Sequence, residues 1–361
     1  MPLTLLGDLK HYENYVRTGY VQGIVDRINV FNSRSGGTIR LTSEFTTGME
    51  KNIAFWEDFG VMARRDISVD TAQTPHKIER DEYHAFKTFW KFEPVNFQLS
   101  AFKTADGMSE NDVYVMIGRK LAEKKLDFAV KQALMIASAA IASGGAAVNL
   151  DYTVGTPENF TVDKVVEAVS LFGDRASNLK ALVMHSAVYF PLIKDQIVNY
   201  QFDTGAGLRI QGGSPATYGL PVIVTDNPEL VYKDENGDTF YKTLLLANNA
   251  VTLSDNGYTK AAYGLELGKE NITSLFQAEG DMWNSLLGYT YTGSDRNANP
   301  VFDNLADPDN WKRWENSHKL TAGVLIKSMG SIRDARRNVI DVRVVTDTPA
   351  VDTGTDTGNG T

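Results

Sequence analysis

A few groups of residues have the side chains that chemistry needs, but their spacing fails each test. His185-Ser186, with Asp195 and Asp226 downstream, could supply a nucleophilic triad. No Gly-x-Ser-x-Gly turn presents the serine, and Ser186 stands where a helix N-cap is expected. Gly264-x-x-x-Gly268-Lys269-Glu270 resembles a phosphate-cradling loop, but it is one residue short. Glu270 also occupies the place where a hydroxyl must meet magnesium. Asp234-x-Asn236-x-Asp238 has the alternating oxygens of a calcium loop, yet Leu245 stands where a bidentate glutamate should close it. An exposed hairpin turn fits those residues better. The histidines at 11, 76, 84, 185 and 318 form no i, i+3 or i, i+4 pair of the kind a helix-borne metal site uses. Cysteine is absent, which removes disulfides, thiol catalysis and thiolate metal sites. The expectation is a chain with no catalytic residue, no metal and no cofactor.

Charge excludes a further class. The 361 residues hold 36 Lys plus Arg against 45 Asp plus Glu, a formal charge of −9. A surface that grips nucleic acid needs clustered cations. The local exception is Lys327, Arg333, Arg336, Arg337 and Arg343, set against Asp334 and Asp341. Arg333, Arg336 and Arg337 are the candidates for facing a genome, although a solvated face or ion pairs between subunits explain the stretch better. Tyr83, Phe86, Phe89, Trp90 and Phe92 could stack on bases, but only Lys87 and Lys91 interleave with them, so packing is the better reading. The apolar stretch 129–150 is broken by Lys131, Gln132 and several Gly and Ser residues, so no membrane span is expected.

The elements that would position these residues follow from periodicity. Asn32-Ser33-Arg34-Ser35-Gly36-Gly37 is a turn cluster, and Thr38–Thr42 alternates like a strand. Before it, the chain reads as an irregular arm, either loosely packed or laid over a neighbour. Residues 61–98 read as an extended hairpin, with a strand at 63–69, a turn at 70–75 and a return at 76–97. Phe86, Thr88, Trp90 and Phe92 fall on one face of the return, and Lys87, Lys91 and Glu93 on the other. Ser109-x-x-Asp112 opens a helix that Gly144-Gly145 ends, about 52 Å of spine. Residues 156–250 have an α/β rhythm: a helix capped by Thr161, a strand at 181–184, a helix from Ser186 shortened or kinked by Pro191, and a strand near 222–224. A hairpin follows around Asp234–Asp238, then a further strand over 243–253. Residues 254–317 are polar with weak periodicity, and 318–327 returns to strand character. The Thr-, Gly- and Asp-rich segment 347–361 reads as a disordered tail.

Taken in order, several segments resemble the major capsid proteins of tailed bacteriophages. They are Val30–Ile39, Phe55-Trp56, Ala63-Arg64-Arg65-Asp66, Ala181–Tyr189 and Tyr218–Asp226. The resemblance implies the α+β Hong-Kong-97-type fold. Its parts would be an N-terminal arm (1–48), an E-loop region (49–98), a peripheral or P domain (99–155 and 316–346) and an axial or A domain (156–315). It also implies a subunit that assembles with itself into hexamers and pentamers of an icosahedral shell, built in the host cytoplasm and found in the virion. A separate scaffolding protein, a portal and decoration proteins are the further partners, with packaged DNA confined rather than bound by sequence. Assembly contacts are expected at Arg64, Arg65, Asp66, Lys77, Phe86, Trp90 and Phe92. Deletion of 66–90 is expected to leave a folded subunit that cannot assemble. The alternative on the same fold is the shell of an encapsulin-type nanocompartment.

Overall fold

Ser109 starts the longest element. Its hydroxyl accepts the Asp112 N–H, and the Asp112 carboxylate accepts the Ser109 N–H in return, a complete capping box. Helix α1 (Glu110–Ser143) then runs for 34 residues, about 51 Å. The computed structural model describes residues 18–21, 28–29, 31–33, 35–43, 48–56, 67–68, 80–98, 109–203, 219–234, 237–266, 273–315 and 317–330.

Two sheets meet α1. The first contains β1 (Ile39–Ser43), β2 (Glu50–Trp56), β3 (Arg80–Phe97), β9 (Val251–Glu266), β10 (Thr273–Leu286), β11 (Tyr289–Tyr291) and β12 (Trp311–Arg313). Strand β10 lies antiparallel to both β9 and β3, and β2 pairs antiparallel with the start of β3. The second sheet runs β4 (Asn149–Asp151), β13 (Gly323–Ser328), β8 (Thr239–Ala247), β5 (Leu179–Met184) and β6 (Val222–Val224), with β7 (Val231–Lys233) beside β8. Helix α2 (Val162–Phe172) precedes β5, and α3 (Ser186–Asp203) crosses between the parallel strands β5 and β6. A short α4 (Phe302–Ala306) lies between β11 and β12.

Helix α1 touches β9 and β12 of one sheet and β8 and β13 of the other. Residues 132–141 are buried on every side, as a helix enclosed by two layers must be. By length and composition Asn111–Ser143 could cross a bilayer. Here that stretch is largely buried inside the protein and serves as its core.

The turn cluster before β1 is built as its residues require. Asn32 makes two bonds to the Leu41 backbone, at 2.8 and 2.9 Å, and Gly37 takes φ +75°, which a side chain rarely adopts. The Gly37 carbonyl accepts the Asn249 N–H, and β1 lies parallel to β9 with Ile39 and Leu41 buried. This end of the expected arm therefore belongs to the chain's own sheet.

Several other expectations change. Residues 254–317 are not weakly structured, because β9 and β10 lie there, with 16 and 14 residues. The strand expected over 243–253 breaks at Asn248-Asn249, where Asn249 takes φ 54°. Residues 318–320 form a single helical turn, so the last strand begins only at Gly323. Thr161 stands at the α2 N-cap but makes no side-chain cap bond. Pro191 sits inside α3, which nevertheless continues to Asp203. Ile67-Ser68 form a turn where a strand was expected. Between positions 156 and 315, β9, β10 and β11 belong to the first sheet and not to the second.

Candidate functional site

Strands β2 and β3 end together on either side of segment 57–79, with Trp56 opposite Arg80. Buried polar contacts within the first sheet hold β3 there. Lys87 on β3 reaches Asp281 on β10 at 2.7 Å, with both side chains buried, at 7% and 5% exposure. The ammonium also lies 5.0 Å from the Trp283 ring, and Asn256 on β9 donates to the same carboxylate at 2.9 Å. Three strands converge on one buried charge.

A second layer ties α1 to the same strands. Gln132 donates to Thr88 at 2.7 Å and to Asn284 at 2.6 Å, and Asn284 donates to Thr88 at 2.9 Å. Lys125 is buried and donates to Asp255 at 2.5 Å and to the Tyr20 hydroxyl at 2.6 Å, with its ammonium 4.7 Å from the Trp90 ring. Burial holds the Lys125 pKa below the ordinary lysine value, with Asp255 and Asp281 pulling the other way. Tyr20 brings the N-terminal segment 18–21 onto this layer. Backbone meets backbone there: a Cβ on Gly19 would lie 2.3 Å from the Val115 carbonyl.

Two of the residues expected at assembly contacts are buried instead. Phe86 and Trp90 are 2% and 6% exposed, inside the chain's own core, so they cannot meet a neighbour. Phe86 stacks near Tyr291 and Trp311, and the half-buried Phe92 packs edge-on against Phe276. Lys87, assigned to the solvated face, is buried as well. Phe89 and Val95 of β3 are both well exposed, and Leu265 and Leu275 are exposed on β9 and β10. Arg64, Arg65, Asp66 and Lys77 lie outside the described residues, as do Arg333, Arg336, Arg337 and segment 347–361. Lys327, from the same basic stretch, pairs with Asp151 at 3.0 Å.

The rejected catalytic groups take ordinary roles. His185, rather than Ser186, caps α3: its Nδ1 accepts the Ala187 N–H at 3.1 Å. Asp226 lies 3.7 Å from the other ring nitrogen. Asp234 accepts the Asp238 N–H at 2.8 Å and closes the β7–β8 hairpin. Gly264 lies within β9, and 267–272 fall outside the described residues. Among the described residues no group of three His, Asp or Glu could hold a metal.

Sequence reasoning missed the Lys87–Asp281 and Lys125–Asp255 pairs and the long strands that carry the acidic partners. A faint signal existed in Phe276, Ala278, Met282 and Leu286, which alternate along β10, but Gly280 and Asn284 interrupt the pattern.

Residues 8–325 match the family model for Major capsid protein 13-like proteins. No curated protein matches the sequence. The capsid of Ralstonia phage GP4 is similar in structure, with 10% identity and a TM-score of 0.51, over 83% of this chain and 91% of that one. The head structure of Helicobacter pylori bacteriophage KHP40 aligns at 15% identity and a TM-score of 0.45, over 83% of this chain and 92% of that one.

Proposed function

The chain belongs to the major capsid protein 13-like family, and from that membership we propose how its copies build the shell. The protein is the major capsid protein of a phage head, with the α+β Hong-Kong-97-type fold, and it resides in the virion. In our reading each copy offers one surface to a different surface on the next. Such heterologous contacts close into hexamers and pentamers and then into an icosahedral container. We assign the P domain to α1 with the first sheet, and the A domain to the second sheet with α2 and α3. Segment 57–79, between β2 and β3, is the E-loop of this reading. Arg64, Arg65, Asp66 and Lys77 would carry its contacts, and the exposed Phe89 and Val95 replace Phe86 and Trp90.

The supporting observation is the buried Lys87–Asp281 pair and its neighbours, which stiffen β3, the strand that follows segment 57–79. The chain's charge of −9 favours confinement of DNA over adsorption, with Arg333, Arg336 and Arg337 as the local exception. Assembly in the host cytoplasm agrees with a chain free of cysteine. The proposal gives the chain no catalytic role. Scaffolding, portal and decoration proteins enter it through the family resemblance.

The test is a replacement rather than the 66–90 deletion. That deletion would remove Phe86, Lys87, Thr88 and Trp90 from the core and unfold the subunit. Replacing 57–79 with an Asn-Gly turn keeps the Trp56–Arg80 register. Circular dichroism should report a folded protein, and electron microscopy should show no closed shells. Shells of normal size and number from this variant would refute the E-loop assignment.

A further inference from the structure

The histidine that caps α3 has a second consequence, independent of how the shell assembles. His185 precedes the first residue of α3. Its carbonyl accepts the Val188 and Tyr189 N–H groups at 3.0 and 3.1 Å, and its Nδ1 accepts the Ala187 N–H at 3.1 Å. This is the work that Asn, Asp or Ser side chains perform at other N-caps. An imidazole can perform it only while Nδ1 is bare, so the proton of the neutral ring must sit on Nε2. Nε2 is the nitrogen that faces Asp226, at 3.7 Å. The His185 side chain is 17% exposed and Asp226 is 73% exposed. The ring also packs at 5.2 Å, centre to centre, against Tyr241 of β8.

We propose that His185 is a proton-operated cap: protonation of Nδ1 replaces the acceptor with a donor and releases the first turn of α3. The reaction needs one proton from solvent and makes or breaks no covalent bond besides the new N–H. Two N–H groups then point at each other, and a positive charge sits at a helix N-terminus, where the helix dipole opposes it. The released turn carries Phe190, 64% exposed, and leads into Pro191, which has no N–H with which to restore the helix ladder. Acid therefore loosens one chosen turn on the surface of the second sheet and leaves the α1 core untouched.

The groups facing the ring set the direction of the response. Burial lowers the His185 pKa below its ordinary value of 6.5, and the Asp226 carboxylate partly opposes that shift. Asp226 from the segment after β6 is the charged group that reaches the ring among the described residues, Tyr241 faces it from β8, and Ala187 faces it from α3 by its backbone N–H. The folded state holds the neutral form. The cap's contribution is therefore complete above the ordinary histidine pKa and is lost as pH falls through the lower, folded value.

Hydrogen exchange with mass spectrometry on the full chain tests this, with rates corrected for the intrinsic pH dependence of amide exchange. Between about pH 8 and about pH 5, protection over 186–190 should fall about fivefold to tenfold, the loss expected when one cap is removed. His185→Asn keeps a cap acceptor that does not titrate, and its protection over that turn should stay within about twofold. Asp226→Asn, a change at an exposed side chain, should move the midpoint to lower pH. A wild-type turn whose protection does not change with pH overturns the proposal. So does a His185→Asn protein that loosens as the wild type does, or an Asp226→Asn midpoint that does not move.

Discussion

Replacing Lys87 with Met should be far more damaging than replacing Lys87 and Asp281 together. In the native protein the Asp281 carboxylate has Lys87 at 2.7 Å and Asn256 at 2.9 Å on one oxygen, while its other oxygen has no partner. Removing the ammonium leaves a buried negative charge with a single neutral donor. Breaking such a pair typically costs about 3–5 kcal/mol. The contact with the Trp283 ring, worth up to about 2 kcal/mol when desolvated, places this case toward the upper end. Lys87→Met with Asp281→Leu takes away both charges and fills the space with carbon. What remains is the lost acceptor for Asn256, about 1–3 kcal/mol. The double variant should therefore be more stable than the Lys87→Met single by about 2 kcal/mol. Urea unfolding of unassembled subunits, followed by tryptophan fluorescence, measures all corners of the cycle. If the single variant loses less than about 1 kcal/mol, or is no worse than the double, the pair behaves like a solvated surface pair. In that case the pair does not anchor β3.

Gly323 opens β13 with φ +147°, and a Cβ there would lie 2.0 Å from the Leu245 carbonyl. Gly323→Ala should cost more than about 3 kcal/mol, because backbone of a central strand must move; soluble yield and thermal unfolding measure it. At alkaline pH, burial pushes the Tyr289 phenol up to about 12 and raises Tyr152 and Tyr291 further. Raised phenols contribute stability that is complete below the ordinary tyrosine value of 10 and is lost as pH rises toward their folded values. Phenolate absorbance should therefore show these groups ionising late and together with unfolding. Early, fully reversible titration of every tyrosine in the folded protein would contradict their burial.

Local signals carried the elements whose cause is local. Ser109 and Asp112 lie within one turn of each other, so the start of α1 was readable from residue types alone. The same holds for the turn at Asn32–Gly37, the β7–β8 hairpin around Asp234, and the alternation that buries Phe86, Thr88 and Trp90. The order of the segments that resemble phage capsid proteins also sufficed for the fold class. Misreadings arose where the cause lies far away in the chain. Strand β10 is interrupted by Gly280 and Asn284, and it is a strand because β3 and β9 supply hydrogen-bond partners on both edges.

The sequence alone therefore determined a cysteine-free, acidic chain with a long central helix and no assembled catalytic motif. Only the tertiary structure decided which charges are buried. Lys87 alternates as a solvent-facing residue should, yet Asp281, 194 positions away, meets it across a β-sheet and makes its burial tolerable. Likewise His185, beside a serine that looks like the better cap, takes that role because its ring is held between Tyr241 and Asp226. Hydropathy reports the cost of burying one residue; whether the cost is met depends on the partner, and pairing between distant positions is set by the packed chain.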